Sequence, residues 1–454
     1  MIRFKTLLQW YILVSFLMVC MPVFATAATP ITFWTTDLGT DRQAVIKYLA
    51  DAFMIFNPDI KIQIEGIEEN AMVDALTQAH KEGTGPNIIS CASDLLVSFS
   101  KLGWMNNAGT EACIVSIGKD RFYSGTLSKL QHTDGTYSGI PFNGWIQGIW
   151  YRKDWFKEYG LNPPDSWENI LKAAKTFHAP EKKQYGLLIG TQDDVYAEQV
   201  FTHLALSAGV KEFTPEGKVV FDSPATVETL KFYTELARYT PPGPQTWRGR
   251  DFYFQGQLAM MFYSTFIMDD MAVPSIAANS LTGDNFEELC GAPYDYNLLK
   301  HTGFVSNITG LHKASYGIIN ALGLLKTENT EQEKATERFV EFLFTNDAYI
   351  TWLHTVPGGM MPVLKDIAVH DTFFRDHQGV FQRYSRQRIH SILSGFDSLK
   401  SLSFVDGHIV PQAAQASAMG LLAEMIMKTL QGKLSPEEAV SKTAMKMRMI
   451  NSEI

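Results

Sequence analysis

Two adjacent aspartate pairs, Asp193-Asp194 and Asp269-Asp270, have the spacing to hold a cation or to share a proton between carboxylates. Each also stands where a helix would begin, and a solvated loop or helix start is the simpler expectation for both. The eleven histidines are scattered, none three or four residues from another, so no helix face presents two imidazoles to a metal. No cysteine pair has zinc spacing. The G-x-S-x-G elbow, H-E-x-x-H, the G-x-x-x-x-G-K-[ST] phosphate loop and a G-x-G-x-x-G turn after a strand are all missing. A hydrolase working through two separated carboxylates leaves no such motif and stays open.

The elements that must position any site follow from composition and periodicity. With 454 residues, 46% hydrophobic and 12% aromatic, the chain buries a large core and exceeds one ordinary domain. A net charge of -9 argues against nucleic acid as a partner. Residues 1–27 read as an export signal. Arg3 and Lys5 precede the apolar run Leu7–Val19, and Ala25-Thr26-Ala27 is a small-x-small cleavage site, so the cut is expected after Ala27. A retained membrane anchor is the alternative. Cleavage makes the chain more acidic and removes Cys20, leaving Cys91, Cys113 and Cys290. In an oxidising compartment Cys91 and Cys113 could pair; three free buried thiols are the other reading.

Ile31–Trp34, Ile60–Ile64 and Pro86–Ser90 read as strands. Between and after them, Asp41–Phe56, Asn70–Glu82 and Ser93–Leu102 read as helices, the first with a stripe of Val45, Tyr48, Leu49, Ala52, Phe53 and Phe56. This alternation predicts an α/β domain on a largely parallel sheet. A glycine- and aromatic-rich crossing over 135–145 leads to strands at 148–152, 185–189 and 256–262. Helices follow Asp165, capped with Glu168, and Ser223-Pro224. Pro357–Pro362 reads as a rigid turn. The last third reads as mostly helical, with one long helix over Gln412–Leu430 and a capping box at Ser435 and Glu438.

Several segments together resemble the extracellular solute-binding proteins of family 1, the receptors of carbohydrate-type ABC importers. Ile31-Thr32-Phe33-Trp34 is followed by Phe53–Ile62, similar to F-x-x-x-N-P-D-I-K-V. Gly139-Ile140-Pro141-Phe142-Asn143 precedes Trp150–Phe156, similar to Y-Y-N-K-D-x-F, with Arg152 in place of Asn. Gly160–Glu168 resembles G-L-x-P-P-x-T-W-D/E. Phe221-Asp222-Ser223-Pro224 pairs with Gly256–Met261, and Phe339–Leu343 leads to Gly359–Val363, where Met360 replaces the usual aromatic.

The resemblance implies a two-lobed α/β periplasmic binding protein fold of type II, with hinge-connected lobes and a helical C-terminal part. The expected division is 28–143 with 309–359 for one lobe and 144–308 with 360–454 for the other. Ligand would sit between lobes, beyond the carboxyl ends of strands. Those ends carry Thr35-Thr36-Asp37, Ser93-Asp94 and Tyr263-Ser264-Thr265. Sugars need aromatic faces and fixed polar partners. Trp34, Trp145, Trp247 and Tyr263 are the expected stackers. Asp37, Glu69, Asp94, Asn143, Ser264 and Asp406 are the expected hydrogen-bonding residues, with Met360 at the turn. Core packing competes for each tryptophan, and helix capping for Asp37 and Asp94. The loop Ser403–Pro411 lacks Arg and Lys, which favours a neutral sugar, oligosaccharide or polyol over a phosphorylated one. The expected partners are that carbohydrate and the permease subunits of an ABC importer, with no cofactor, no metal and a monomeric, periplasmic receptor. The alternatives are a receptor feeding a periplasmic sensor kinase and a carbohydrate-active enzyme.

Overall fold

In the computed structural model, residues 28–273, 275, 295, 297–405 and 408–450 are described. The expected export signal, Cys20, Cys290 and Asp406 lie outside them.

Strand β1 (Thr29–Thr35) has two parallel neighbours, β2 (Ile60–Gly66) and β3 (Ile88–Ala92). The connections are helices α1 (Thr40–Phe56) and α2 (Met72–Glu82), and α3 (Ser93–Lys101) follows β3 directly. This is the rhythm expected from sequence, with one correction. The buried stripe of α1 is Ile46, Leu49, Ala50 and Phe53, while Tyr48 (63%) and Phe56 (81%) face outward. Phe53 packs on Phe339 and Phe342 with ring centres 5.2 and 5.3 Å away.

At the far edge, β5 (Tyr185–Leu188) runs parallel to β6 (Leu258–Ser264). Two long strands join the edges. β4 (Ile140–Arg152) has 13 residues and β9 (Lys313–Leu324) has 12, and the sheet order is β2-β1-β3-β9-β4-β6-β5. Short strands complete it: β7 (Thr302–Val305) and β10 (Met361–Pro362) on β4, and β8 (Ile308–Thr309) and β11 (Leu399–Lys400) on β9. The pairs β3–β9, β9–β4 and β4–β6 are antiparallel, so along the main strand order the sheet is parallel only towards its edges; the short β11 adds a parallel pair on β9. The turn expected at Pro357–Pro362 therefore ends in a strand on β4. β3 leaves β9 at Asn320 and β6 joins β4 at Gln147, so residues 143–146 of β4 bridge the two halves.

Helix α4 (Trp167–Phe177) is capped by Ser166, whose hydroxyl accepts from Asn169 N at 3.2 Å; Asp165, the expected cap, accepts instead from the Asn169 side chain. Helix α5 (Val195–Ser207) is capped by Asp194, and α6 (Pro224–Ala237) by Ser223 with Pro224 in its first turn. The long helix expected over 412–430 is two: α7 (Pro411–Ala418) and α8 (Leu421–Leu430). Gly420 at φ 63° breaks it, a left-handed conformation that costs glycine nothing. The capping box of Ser435 and Glu438 opens α9 (Pro436–Met447) as expected. Cys91 and Cys113 are free and buried, in separate apolar clusters. No helix among the described residues is long and apolar enough to cross a membrane.

Candidate functional site

The carboxyl end of β6 is fixed by β4. The buried Trp150 indole donates to the carbonyls of Tyr263 (3.2 Å) and Ser264 (3.3 Å), and Ile146 N donates to Thr265 Oγ1 at 3.3 Å. Helix α5 is tied to both strands. The Tyr196 hydroxyl donates to the Phe262 carbonyl at 2.7 Å, and Gln147 Nε2 to the Gln199 carbonyl at 3.0 Å. Asp194 accepts from Ala197 N at 3.0 Å and so sets where α5 begins.

These ties frame a cavity of about 530 Å³. Four expected residues line it: Trp145, Trp247, Tyr263 and Ser264. Trp247 is 40% exposed. Gln147, Tyr196, Gln199, Arg250, Phe266 and the pair Asp269-Asp270 also line it and were not expected there. The two aspartates do start a short helix, Met268–Ala272, but they face the cavity rather than solvent.

Two cations brace this wall: Arg248 lies over the Trp247 ring at 4.7 Å, and Arg250 ties several groups together. Arg250 pairs with Asp270 at 2.6 Å and lies 3.8 Å from Asp251. Its guanidinium also sits over the rings of Trp247 (5.1 Å) and Tyr263 (5.9 Å). Burial, then the neighbouring Asp270, pushes the Asp269 carboxyl up to about 6. Burial pushes the Tyr263 phenol up to about 12, against the lowering effect of Arg250, so it stays a neutral hydrogen-bonding group.

A second cavity of about 510 Å³ contains the expected Glu69 and Asp94, with Lys129, Glu198, Glu212, Tyr316 and Ser403. Asp94 accepts from Ser403 Oγ at 2.6 Å and lies 3.9 Å from Lys129. It does not cap α3, whose first position is preceded by Ala92 without a side-chain bond.

Other expected residues lie elsewhere. Trp34 is buried in a core cluster with Met72, Leu76 and Leu96. Asp37 pairs with Arg42 at 3.3 Å and does not cap α1, which Gly39 precedes; burial raises its carboxyl despite that pair. Met360 is buried in the main core. Asn143 is only 1% exposed on β4, opposite Asn320 and Pro362, and both polar atoms of its side chain are without a partner. Among the described residues, no group of three or more His, Cys, Asp or Glu side chains could hold a metal.

The residues missed by sequence reasoning had partial signals. Gln147 is two positions from Trp145 on one strand, so both face the same way. Arg250 and Asp269-Asp270 flank the strand that ends in Tyr263-Ser264, but no periodicity marks them.

Residues 36–350 match the profile of the bacterial extracellular solute-binding proteins. YcjN of Escherichia coli (strain K12), provisionally named as an ABC transporter periplasmic-binding protein, is 30% identical over 345 residues, covering 76% of this chain and 75% of its own. Two solved structures share the fold. One is an ABC transporter solute-binding protein of Agrobacterium radiobacter K84 in complex with ribitol, at TM-score 0.67 and 17% identity, covering 93% of this chain and 98% of the other. The other is from Thermotoga lettingae TMO, bound with α-D-tagatose, at TM-score 0.63 and 20% identity, covering 92% and 99%.

Proposed function

Because the chain belongs to the bacterial extracellular solute-binding protein family, we propose that it captures a neutral sugar, oligosaccharide or polyol between two lobes and delivers it unchanged to an ABC importer. The observation that carries this reading is the convergence of Trp145, Trp247 and Tyr263 with Gln147, Gln199 and Ser264 on one cavity, all of them within 144–308, the face of one lobe on which the other would close. Aromatic faces suit the C–H faces of a sugar ring, and the amides and hydroxyl offer donors and acceptors for its hydroxyls. Arg250 also lines the cavity, but Asp270 and Asp269 outweigh its charge, so a phosphate finds no free cation there.

The lobes are assigned as 28–143 with 309–359, and 144–308 with 360–454. Strands β4 and β9 carry the chain between them, and their bending at 143–146 is the proposed hinge motion. We place the protein in the periplasm after cleavage behind Ala27. The site residues are Trp145, Trp247, Tyr263 and Ser264, with Glu69 and Asp94 lining the second cavity.

The test is a thermal-shift screen of sugars and polyols, followed by calorimetry and recovery of the bound compound. A ligand that binds only the folded state raises the melting temperature. Stabilisation by a hydroxylated ligand, recovered intact, is expected; turnover, or no stabilisation by any of them, would overturn the reading.

A further inference from the structure

The second cavity has a charge pattern that a neutral ligand does not use. Among the described residues, four carboxylates line it, Glu69, Asp94, Glu198 and Glu212, against one cation, Lys129. Lys129 lies beside Asp94 at 3.9 Å. Glu198 accepts from the Ser417 hydroxyl. Glu212 has nothing comparable. It is 3% exposed and lines the cavity, yet among the described residues its carboxyl makes no hydrogen bond and no ion pair.

A buried carboxyl without a donor is costly. Burial, then the nearby Glu198, pushes Glu212 up to about 8. The group that relieves this arrangement brings both positive charge and several N–H donors. A single hydroxyl brings neither a charge nor more than one donor, whereas an ammonium brings three donors and a charge. A metal ion is the other cationic guest, but no cluster of three ligating side chains is present among the described residues.

We propose that the second cavity is a subsite for a primary ammonium group, held by Glu212 and Glu198, which revises the neutral ligand of the proposed function to a saccharide with a neutral ring in the first cavity and an amino group in the second. This rests on the reading of the first cavity as a sugar site. The two cavities lie on either side of the contact between Trp145, which lines the first, and Tyr316, which lines the second. A ring on Trp145 would thus place a neighbouring unit at the carboxylates.

The experiment is calorimetry at neutral pH on the mature chain with matched pairs: glucosamine and glucose, and the two-ring pair of β-1,4-linked glucosamine dimer and cellobiose, in which one ring can lie on Trp145 while its neighbour reaches the carboxylates. In at least one pair the amino member should bind at least tenfold tighter. Its binding should release protons, seen as heat that depends on the buffer's ionisation enthalpy, because the ammonium draws Glu212 into its charged form. Glu212→Gln should cut the advantage to below threefold and abolish the proton release. Glu198→Gln is the second variant and should reduce the same advantage. If the neutral sugars bind and the amino sugars gain nothing, the ammonium subsite is overturned while the sugar reading stands. An advantage that survives both variants also overturns it. If no member of any pair binds, both readings fall.

Discussion

Trp145 and Tyr316 meet edge to face, ring centres 6.0 Å apart and planes at 84°, across the pairing of β4 with β9. The contact joins the two long strands at the point where the halves of the molecule meet. Trp145 is half-buried, so part of its ring is open to a ligand while Tyr316 packs against the rest. Trp145→Ala should weaken sugar affinity at least tenfold, about 1.4 kcal/mol. The melting temperature should move little, since the ring is not part of the fully buried core. Calorimetry beside a melting curve checks both; an unchanged dissociation constant removes Trp145 from the site.

Arg250 and Asp270 are both nearly buried and 2.6 Å apart. Removing the cation takes from Asp270 its partner at 2.6 Å, and breaking such a buried pair costs about 3–5 kcal/mol. Arg250→Met should therefore lower the urea midpoint sharply. It should also weaken ligand binding, because the guanidinium supports the rings of Trp247 and Tyr263. Arg250→Lys should recover only part of either loss, since ammonium lacks the planar fork.

The outer parts of the fold were legible in the sequence, and the middle was not. Helix stripes, Ser223-Pro224 and the Ser435–Glu438 box carry local signals that tertiary contacts reinforce. The strand β9 went unseen because it is flanked on both sides and packed closely. Gly317, Ala321 and Gly323 interrupt any alternation of large apolar side chains. The first half of β4 was hidden by Gly139, Pro141 and Gly144, which read as loop residues. These two strands hold Trp145 and Tyr316, so the region that builds the site is the region with the weakest local code. Four of the expected contact residues do line the first cavity, because aromatic and hydroxyl groups at a strand end are visible in sequence. Arg250 and Asp269-Asp270 were missed because their proximity is made by folding alone.

Asp269 gives a pH signature. Its folded carboxyl titrates at about 6, above the ordinary aspartate value, so the folded state holds its proton more tightly than the unfolded chain. Its contribution to stability is fully present below about pH 4 and is lost as pH rises to about 6. The loss is on the order of 2 kcal/mol. Asp269→Asn cannot ionise, so the difference between wild type and variant in urea unfolding should change by that amount across this window and stay flat above it. A constant difference would show that Asp269 is not buried as described.

The export signal makes a separate prediction. Intact mass of the protein recovered from the periplasm should correspond to a chain beginning at Ala28. Recovery only in the membrane fraction, at the mass of the full chain, would favour the retained anchor.

Gly317 tests whether the contact of β4 with β9 sets the site. It pairs with Ile146, and a methyl group there would come within 2.2 Å of the Trp145 carbonyl and 3.1 Å of the Ile146 Cα. Both are backbone atoms of a central strand, so neither can turn aside. Gly317→Ala should destabilise the protein by about 1–3 kcal/mol, the usual cost of overpacking. It should also weaken ligand binding, because Trp145 moves with its own carbonyl and Tyr316 is the preceding residue. A control, Gly103→Ser, adds its side chain where nothing lies within 4 Å of the new Cβ; φ there is 78°, so backbone strain gives it a stability cost. It should leave affinity untouched. Equal affinity losses in the two variants would mean that strand spacing at Gly317 does not govern the cavity.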